Sequence, residues 1–221
     1  MSNFARAAAF TVFLVVFCGE RVDARPNASA LSAEQAVVTS PNEISAKWAE
    51  LQGRILADKT TLARCRSGHE PCPAAAQRFL SLVELGRHHE GRARIGQINR
   101  AVNLAIRPVS DLVQYGVDDF WAAPLTTMRT GAGDCDDYAI LKYLALREVG
   151  IAPENIRLMI VRDVRRQNSH AVVAVRHDDE WLILDNRTMV MVRAIDAQYY
   201  WPLFSLDHHG VGMVATAALS D

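Results

Sequence analysis

The stretch Gly131-Ala-Gly-Asp-Cys-Asp-Asp-Tyr138 joins a glycine-rich turn to an amphipathic segment that runs to about Gly150. Asp134 suits the N-cap of a helix, which puts Cys135 at the first helical position and Asp137 at the third, as a carboxylate variant of the capping box. The positive end of the helix dipole then favours a thiolate, and the free N–H groups of the first turn can hold an oxyanion. The stretch therefore predicts a helix that presents a reactive cysteine.

A histidine and a carboxylate follow this cysteine along the chain. His170 begins one predicted strand, and Asp185 follows the next. The residue opposite His170 is Asp185 or Arg187, depending on the register, but in either register Asp185 shares a sheet face with His170 because side chains alternate. A carboxylate there can accept the imidazole N–H and fix its tautomer. Cys135, His170 and Asp185 therefore match a thiol nucleophile, its base and an orienting group, although the spacing permits this triad without requiring it.

Acidic residues crowd the cysteine. Asp134, Asp136 and Asp137 surround Cys135, and like charge raises the pKa of a thiol. A bound cation would remove that penalty, and closely spaced aspartates are hard oxygen ligands that suit calcium rather than zinc. The alternative is that these residues only cap the start of the helix, where acidic side chains are common.

The rest of the chain predicts an α+β fold, with N-terminal helices followed by an antiparallel sheet. Helical spacing predicts helices over 43–65, 74–88 and 92–106, then a loop from Tyr115 to Thr130 and the cysteine helix. The core face of the cysteine helix is predicted to carry Tyr138, Leu141, Leu144, Ala145 and Val149. Short β-branched runs predict strands over Ile156 to Arg162, Ala171 to Arg176, Trp181 to Leu184 and Met189 to Arg193.

Length and charge restrict the class of protein. A chain of 221 residues, half of them apolar, can form one domain with a full core. A formal net charge of −1 does not favour nucleic acid or an anionic membrane surface as a partner. Cys65 and Cys72 flank a polar loop and could pair in an oxidising compartment, which would leave Cys135 as the odd thiol.

The N-terminus has the pattern of a secretory signal. Residues 1–24 contain Arg6, an apolar run over 7–17 that is too short to span a bilayer, and small residues before a cleavage site at Ala24. A lipid anchor at Cys18 is the alternative, but the preceding residue, Phe17, is bulky. We expect a signal peptide over 1–24, a linker over 25–42 and one domain over 43–221, in an exported protein whose mature chain does not span a membrane.

The combined motifs resemble one protein family. Gly-Asp-Cys-Asp-Asp-Tyr-Ala-Ile from Gly133, Ser-His-Ala-Val from Ser169 and Leu-Asp-Asn from Leu184 resemble the bacterial transglutaminase-like cysteine proteinases, the group of periplasmic LapG-type proteases. The resemblance covers roughly residues 95–210. It implies a papain-like, transglutaminase-like α+β core with Cys135 as the nucleophile, His170 as general base and acid, and Asp185 as the orienting residue.

The resemblance also implies a cofactor and an oxyanion donor. Family members bind calcium through residues that flank the nucleophile, which here are Asp134 and Asp136. The family usually has Glu at the second position, and the shorter Asp136 keeps the charge but reaches less far. A tryptophan N–H lies near the oxyanion in the related transglutaminase fold, so Trp121 is the candidate donor, with packing of the loop as its alternative role.

Family members trim giant surface adhesins and so release cells from biofilms, and an inner-membrane receptor for cyclic diguanylate sequesters them. The resemblance implies a periplasmic cysteine endopeptidase with a protein substrate, such as a large secreted adhesin, and such a receptor as a partner. Two alternatives remain open. The same three residues suit a transglutaminase or amidase, and a non-catalytic periplasmic binding module could have kept the fold.

Overall fold

The computed structural model describes residues 40–68 and 71–214, so the predicted signal peptide and nearly all of the predicted linker lie outside the described residues. The first helix, α1 (Pro41–Ser67), begins two residues before the predicted domain boundary at 43. A capping box explains this start: the Ser40 hydroxyl accepts the N–H of Glu43 at 3.3 Å, and the Glu43 carboxylate accepts the N–H of Ser40 at 2.6 Å. Pro41 at the first helical position adds a residue whose φ already suits a helix.

The predicted N-terminal helices are confirmed, whereas the predicted loop is partly wrong. Two helices follow α1 close to their predicted bounds, namely α2 (Ala74–Arg87) and α3 (Gly91–Ala105). The short helix α4 (Asp111–Tyr115) then precedes a second one, α5 (Pro124–Thr130), inside the segment predicted as loop. Pro124 at the first helical position and Gly131 at the left-handed end, with φ of 63°, are ordinary signals for a helix start and stop.

The cysteine helix, α6 (Cys135–Glu148), is the centre of the fold. Every residue from Asp136 to Leu146 is buried, because α2, α3 and α5 and part of the sheet all pack around this helix. The predicted apolar face is therefore confirmed, but the polar positions between its members are buried as well. A helix enclosed on all sides cannot be recognised from one apolar stripe.

Two short strands, β1 (Arg107–Pro108) and β2 (Ala132–Gly133), pair in parallel. The next six strands form one antiparallel sheet in the order β6-β5-β4-β3-β7-β8. Their bounds are β3 (Ile156–Asp163), β4 (Asn168–His177), β5 (Glu180–Leu184), β6 (Val192–Arg193), β7 (Tyr200–Asp207) and β8 (Gly210–Met213). The first three predicted strands are confirmed. The fourth shrinks to the two residues of β6, and the sequence reading missed β7 and β8, whose burial does not alternate clearly. The α+β architecture, with helices first and the antiparallel sheet after them, is as predicted.

The register of β4 and β5 decides which residues meet at the sheet edge. The hairpin turns at Asp178 and Asp179, which have φ of 49° and 61°, and Val173 pairs with Leu184. Continued past its last pair, this register sets Arg187 opposite His170. Asp185 then lies on the same face as His170 and diagonal to it, as the alternation of side chains predicts.

Cys65 and Cys72 form a disulfide that ties the end of α1 to the segment before α2. Cys135 is the free cysteine of the described residues. No helix within 40–68 or 71–214 is long and apolar enough to cross a membrane.

Candidate functional site

Cys135 is the first residue of α6, as predicted. Asp134 caps the helix by accepting the N–H of Asp136 at 3.3 Å. The two residues before Asp134 form the short strand β2 (Ala132–Gly133), which pairs in parallel with β1 (Arg107–Pro108). This pairing fixes the backbone that leads to Cys135. The thiol is therefore held at the positive end of a buried helix, with part of its surface exposed.

The surroundings of Cys135 oppose its ionisation. Burial first, and then the charges of Asp136 and Asp134, raise the pKa of the thiol to about 12. The backbone amide of Ala171 and the charge of Arg187 act in the other direction but do not outweigh them. Because Ala171 follows His170 on β4, its amide also brings the cysteine beside the strand that carries the histidine. The thiol is protonated at neutral pH unless a cation offsets the carboxylates.

His170 and Asp185 meet as predicted. The Nε2 atom of His170 lies 2.8 Å from Oδ1 of Asp185, and both side chains are buried. Nδ1 of His170 is buried and has no hydrogen-bond partner among the described residues. The imidazole therefore has one nitrogen fixed by a carboxylate and the other free to accept a proton.

Asp185 has donors at both of its oxygens. Oδ1 also accepts the backbone N–H of Arg187 at 3.0 Å, and Oδ2 accepts the hydroxyl of Tyr200 at 2.5 Å. Burial alone would raise the pKa of Asp185, but the hydrogen bond and charge of His170 and the hydroxyl of Tyr200 hold it well below its usual value. Asp185 is thus an ionised carboxylate whose charge the fold itself stabilises.

Three residues that the sequence reading missed support this corner of the sheet. Asn103 of α3 donates to the backbone oxygens of Asp185 and Thr188, both at 2.9 Å, and so anchors the loop after β5. Tyr200 begins β7, which was not predicted as a strand, and Arg187 was considered only as an alternative neighbour of His170. No motif marks Asn103 and Tyr200, because their contacts span sequence separations of 15 to 85.

Five aspartates gather on the other side of Cys135. The predicted ligands Asp134 and Asp136 belong to two overlapping groups that share Asp111, each with carboxylate oxygens within 4.8 Å of one another. Those groups are Asp111, Asp119 and Asp136, and Asp111, Asp134 and Asp137. The sequence reading did not include Asp111 and Asp119, which come from α4 and the loop after it.

Within the described residues, some oxygens of this acidic cluster lack a donor, although Lys47 forms an ion pair with Asp119. Oδ1 of Asp111 and Oδ2 of Asp137 are buried and have no hydrogen-bond partner among the described residues. Burial first, opposed by a backbone hydrogen bond and reinforced by neighbouring aspartates, raises the pKa of Asp111 to about 6 and that of Asp137 to about 7. Burial and the neighbouring aspartates also raise the pKa of Asp136 well above its usual value. Buried carboxylate oxygens in excess of donors fit a hard cation such as calcium.

The capping box predicted for Asp137 forms only in part, because the backbone amide of Asp134 contacts the Asp137 carboxylate but the Asp134 side chain accepts the N–H of Asp136 rather than that of Asp137. Oδ1 of Asp137 also accepts the N–H of Ala122 at 2.9 Å, so the carboxylate ties the loop before α5 to the helix. Gly133 allows this arrangement, because a methyl group there would come within 2.6 Å of Cβ of Asp137.

Trp121 lies beside Ala122 in the same loop. The residue is buried, and Nζ of Lys47 lies 5.6 Å from the centre of its ring. Its indole N–H has no hydrogen-bond partner among the described residues. The role of Trp121 as an oxyanion donor remains a prediction.

Comparisons with known proteins give the family. The model of the bacterial transglutaminase-like cysteine proteinases (BTLCP) matches residues 62–209. No curated protein matches the chain. Among solved structures, LapG from Legionella pneumophila superposes with a TM-score of 0.58 at 21% identity, over 71% of this chain and 87% of that one.

Two further LapG structures from Legionella pneumophila show the same fold. The calcium-bound form has a TM-score of 0.57 at 21% identity over 69% of this chain and 86% of that one. The EGTA-treated form has a TM-score of 0.59 at 22% identity over 73% and 88%. Since the family model spans well over half of the sequence, the chain belongs to the bacterial transglutaminase-like cysteine proteinases.

Proposed function

We propose that this protein is an exported cysteine endopeptidase in which Cys135 is the nucleophile, His170 the general base and acid, and Asp185 the residue that orients His170. The observation that carries the proposal is the buried pair of His170 and Asp185, in which Nδ1 of His170 has no partner among the described residues. The next residue along β4, Ala171, contacts Cys135 through its backbone amide. A fixed imidazole with one free nitrogen is what a thiol needs to lose its proton.

The chemistry follows from these positions. Nδ1 of His170 takes the proton of the Cys135 thiol, and the sulfur attacks the carbonyl carbon of a peptide bond. The free N–H groups at the start of α6 stabilise the oxyanion, with the indole N–H of Trp121 as a further candidate donor. His170 then protonates the leaving amine, and water that is deprotonated by the same imidazole hydrolyses the acyl-thioester. Asp185 keeps the tautomer and stabilises the imidazolium.

We further propose that calcium binds at the acidic cluster. The residues that would hold it are Asp134 and Asp136, joined by Asp111, Asp119 and Asp137. Bound calcium would supply positive charge that lowers the pKa of the Cys135 thiol. The unpartnered oxygens of Asp111 and Asp137 support the proposal independently of the family. Asp111 and Asp119 also add ligands where the shorter Asp136 replaces the usual Glu.

The cellular role is proposed from the family alone. After removal of a signal peptide over 1–24, the protease would act in the periplasm on a protein substrate such as a large secreted adhesin, and so control attachment in biofilms. An inner-membrane receptor for cyclic diguanylate is the proposed regulatory partner.

The test is the rate at which iodoacetamide labels Cys135 in the mature protein, measured by intact mass against pH, with excess calcium and with EGTA. We expect fast labelling at neutral pH in calcium and a rate at least about tenfold lower in EGTA, because only a thiolate reacts. The Cys135→Ser variant is the control for labelling elsewhere. Slow labelling in both conditions, with a thiol pKa near the ordinary value of about 8.5 or above, would contradict a catalytic role and favour a binding module.

Turnover then separates hydrolysis from amine transfer. A peptidase shortens a protein substrate, whereas a transglutaminase joins a fluorescent primary amine to glutamine side chains. Both activities would be lost in Cys135→Ala with little change in melting temperature, so this variant distinguishes either enzyme from a non-catalytic protein.

A further inference from the structure

Tyr200 contacts the carboxylate that orients His170. Its hydroxyl donates to Oδ2 of Asp185 at 2.5 Å, and its ring centre lies 5.6 Å from that of His170. The residue is 9% exposed, and its ring also packs on that of Tyr199 at 4.5 Å. Burial, and then the hydrogen bond to Asp185, raise the pKa of Tyr200, so the phenol keeps its proton and remains a donor at every physiological pH.

Asp185 needs such a contact because it lies beyond the last hydrogen-bonded pair of β4 and β5. The hydrogen-bonded ladder between β4 and β5 ends at the pair of Val173 and Leu184. The next residue, Asp185, is therefore held by side chains and by its own loop rather than by strand pairing. Its backbone oxygen is anchored by Asn103 of α3, which leaves the direction of the carboxylate to its own hydrogen bonds.

The anchor for this carboxylate comes from a cross-strand pair at the ends of two central strands of the sheet. Tyr200 of β7 pairs with Asp163 of β3. Tyr200 holds the side chain of Asp185, and Asp163 holds that of Arg187 through an ion pair of 2.7 Å. The side chains of Asp185 and Arg187 are thus fixed to the paired residues Tyr200 and Asp163. Strand β3 also pairs with β4, the strand that carries His170.

We propose that Tyr200 is a positioning residue, whose hydroxyl holds Oδ2 of Asp185 so that Oδ1 stays aligned with Nε2 of His170 and Nδ1 stays available to the thiol. This inference rests on the proposed function, since it assigns a task to the residue behind the base. The titratable and charged groups that face this corner from the surrounding elements are Cys135 and Lys142 of α6, Asp163 of β3, His170 of β4, Arg187 after β5, and Tyr199 next to β7.

The first measurement is the pH dependence of Cys135 alkylation by iodoacetamide in saturating calcium, for wild type and Tyr200→Phe. The phenylalanine ring keeps the packing against His170 and Tyr199 and removes only the hydroxyl. We expect the rate at neutral pH to fall about tenfold, since hydrogen bonds to charged groups are among the stronger ones. Tyr199→Phe is the matched control and should react like wild type, because the Tyr199 hydroxyl has no partner among the described residues.

The second measurement reads the histidine directly. In the wild-type protein the Nε2 proton of His170, held by Asp185, should give a protected, downfield proton resonance that Asp185→Ala removes. Tyr200→Phe should broaden or lose that resonance, whereas Tyr199→Phe should keep it. Thermal melting followed by circular dichroism establishes that each variant is folded at the temperature used. In the Asp185→Ala background, adding Tyr200→Phe should change the alkylation rate no further, because the acceptor is already gone.

The outcomes separate this inference from the proposed function. A wild-type thiol that never reacts at neutral pH overturns the proposed function, while the resonance still tests the contact between Tyr200 and Asp185. A reactive wild type whose rate and resonance are unchanged in Tyr200→Phe overturns the positioning role. A lower rate with an unchanged resonance, or a further loss in the Asp185→Ala background, also overturns it, because the hydroxyl would then act other than through Asp185.

Discussion

Asp185 and the acidic cluster, the carboxylates on the two sides of Cys135, have different electrostatic surroundings. Asp185 on the sheet side accepts hydrogen bonds from His170, the amide of Arg187 and Tyr200, and its pKa is lowered. On the helix side Asp111 and Asp137 each have one buried oxygen without a partner in the described part of the chain, and the pKa values of Asp111, Asp136 and Asp137 are raised. The protein's own donors satisfy Asp185 on the sheet side, whereas on the helix side we propose that a cation from solution balances the excess of carboxylates. Calcium should therefore act on one half of the site and leave the other half intact.

The largest expected effect is on the sheet side of the site, at Asp185. Asp185→Ala leaves the Nε2–H of His170, the amide of Arg187 and the hydroxyl of Tyr200 without an acceptor. We expect a loss of about 3 kcal/mol in the free energy of unfolding, as when one partner of a buried charged pair is removed. For a domain of this size that loss is about 6–12 °C in melting temperature. Differential scanning calorimetry in calcium and in EGTA should give the same loss, and a loss confined to calcium would contradict the separation of the two halves.

The second-largest expected effect is the stabilisation by calcium on the helix side of the site. Calcium at about 100 times its dissociation constant should stabilise the wild-type protein by about 2.7 kcal/mol, or roughly 5–11 °C, measured by thermal melting against EGTA. Asp137→Asn is the matched variant, because the amide can still accept the N–H of Ala122 while the negative charge is removed. Its melting temperature in EGTA should equal or exceed that of wild type, and most of the calcium increment should be lost. An equal increment in both proteins would show that the cation binds elsewhere.

The smallest expected effect concerns a buried lysine of the cysteine helix. Lys142 of α6 is 1% exposed, and burial lowers its pKa to about 7 although the charge of Asp185 partly opposes this. The oxygens of Asp185 already have three donors, and no hydrogen bond or ion pair reaches the Lys142 ammonium within 40–68 and 71–214. A lysine whose pKa is lower in the folded state destabilises the fold while it is charged, so this penalty fades as the pH rises from about 7 towards about 10.4.

The Lys142→Met variant tests whether the charged lysine destabilises the fold. We expect the variant to be more stable than wild type near pH 7 by at least about 1 kcal/mol, or about 2–4 °C, and the difference to shrink as the pH approaches 10. The measurement is urea unfolding of both proteins at several pH values in EGTA. A difference that grows with pH would mean that Lys142 has a stabilising anionic partner when charged, and the sheet side would then have one more donor than described.

Much of the fold and part of the site followed from local patterns. Helix α6 was predictable because Asp134 is an N-cap residue, and the shared face of His170 and Asp185 was predictable because alternation along strands does not depend on the register. The predicted fourth strand and the loop over 115–130 failed because short elements owe their structure to neighbours that a local pattern does not contain.

The sequence by itself determined the residues of the candidate site: a cysteine at a helix start, a histidine and an aspartate on one face of the sheet, and an excess of aspartates around the thiol. Only the tertiary structure decided how those groups are completed. Packing brought Asp111 and Asp119 to the helix start, Tyr200 to Asp185, and an amide to Asp137. The reason is physical: caps and alternation act between near neighbours, whereas hydrogen bonds to buried carboxylates join whichever elements the core brings together.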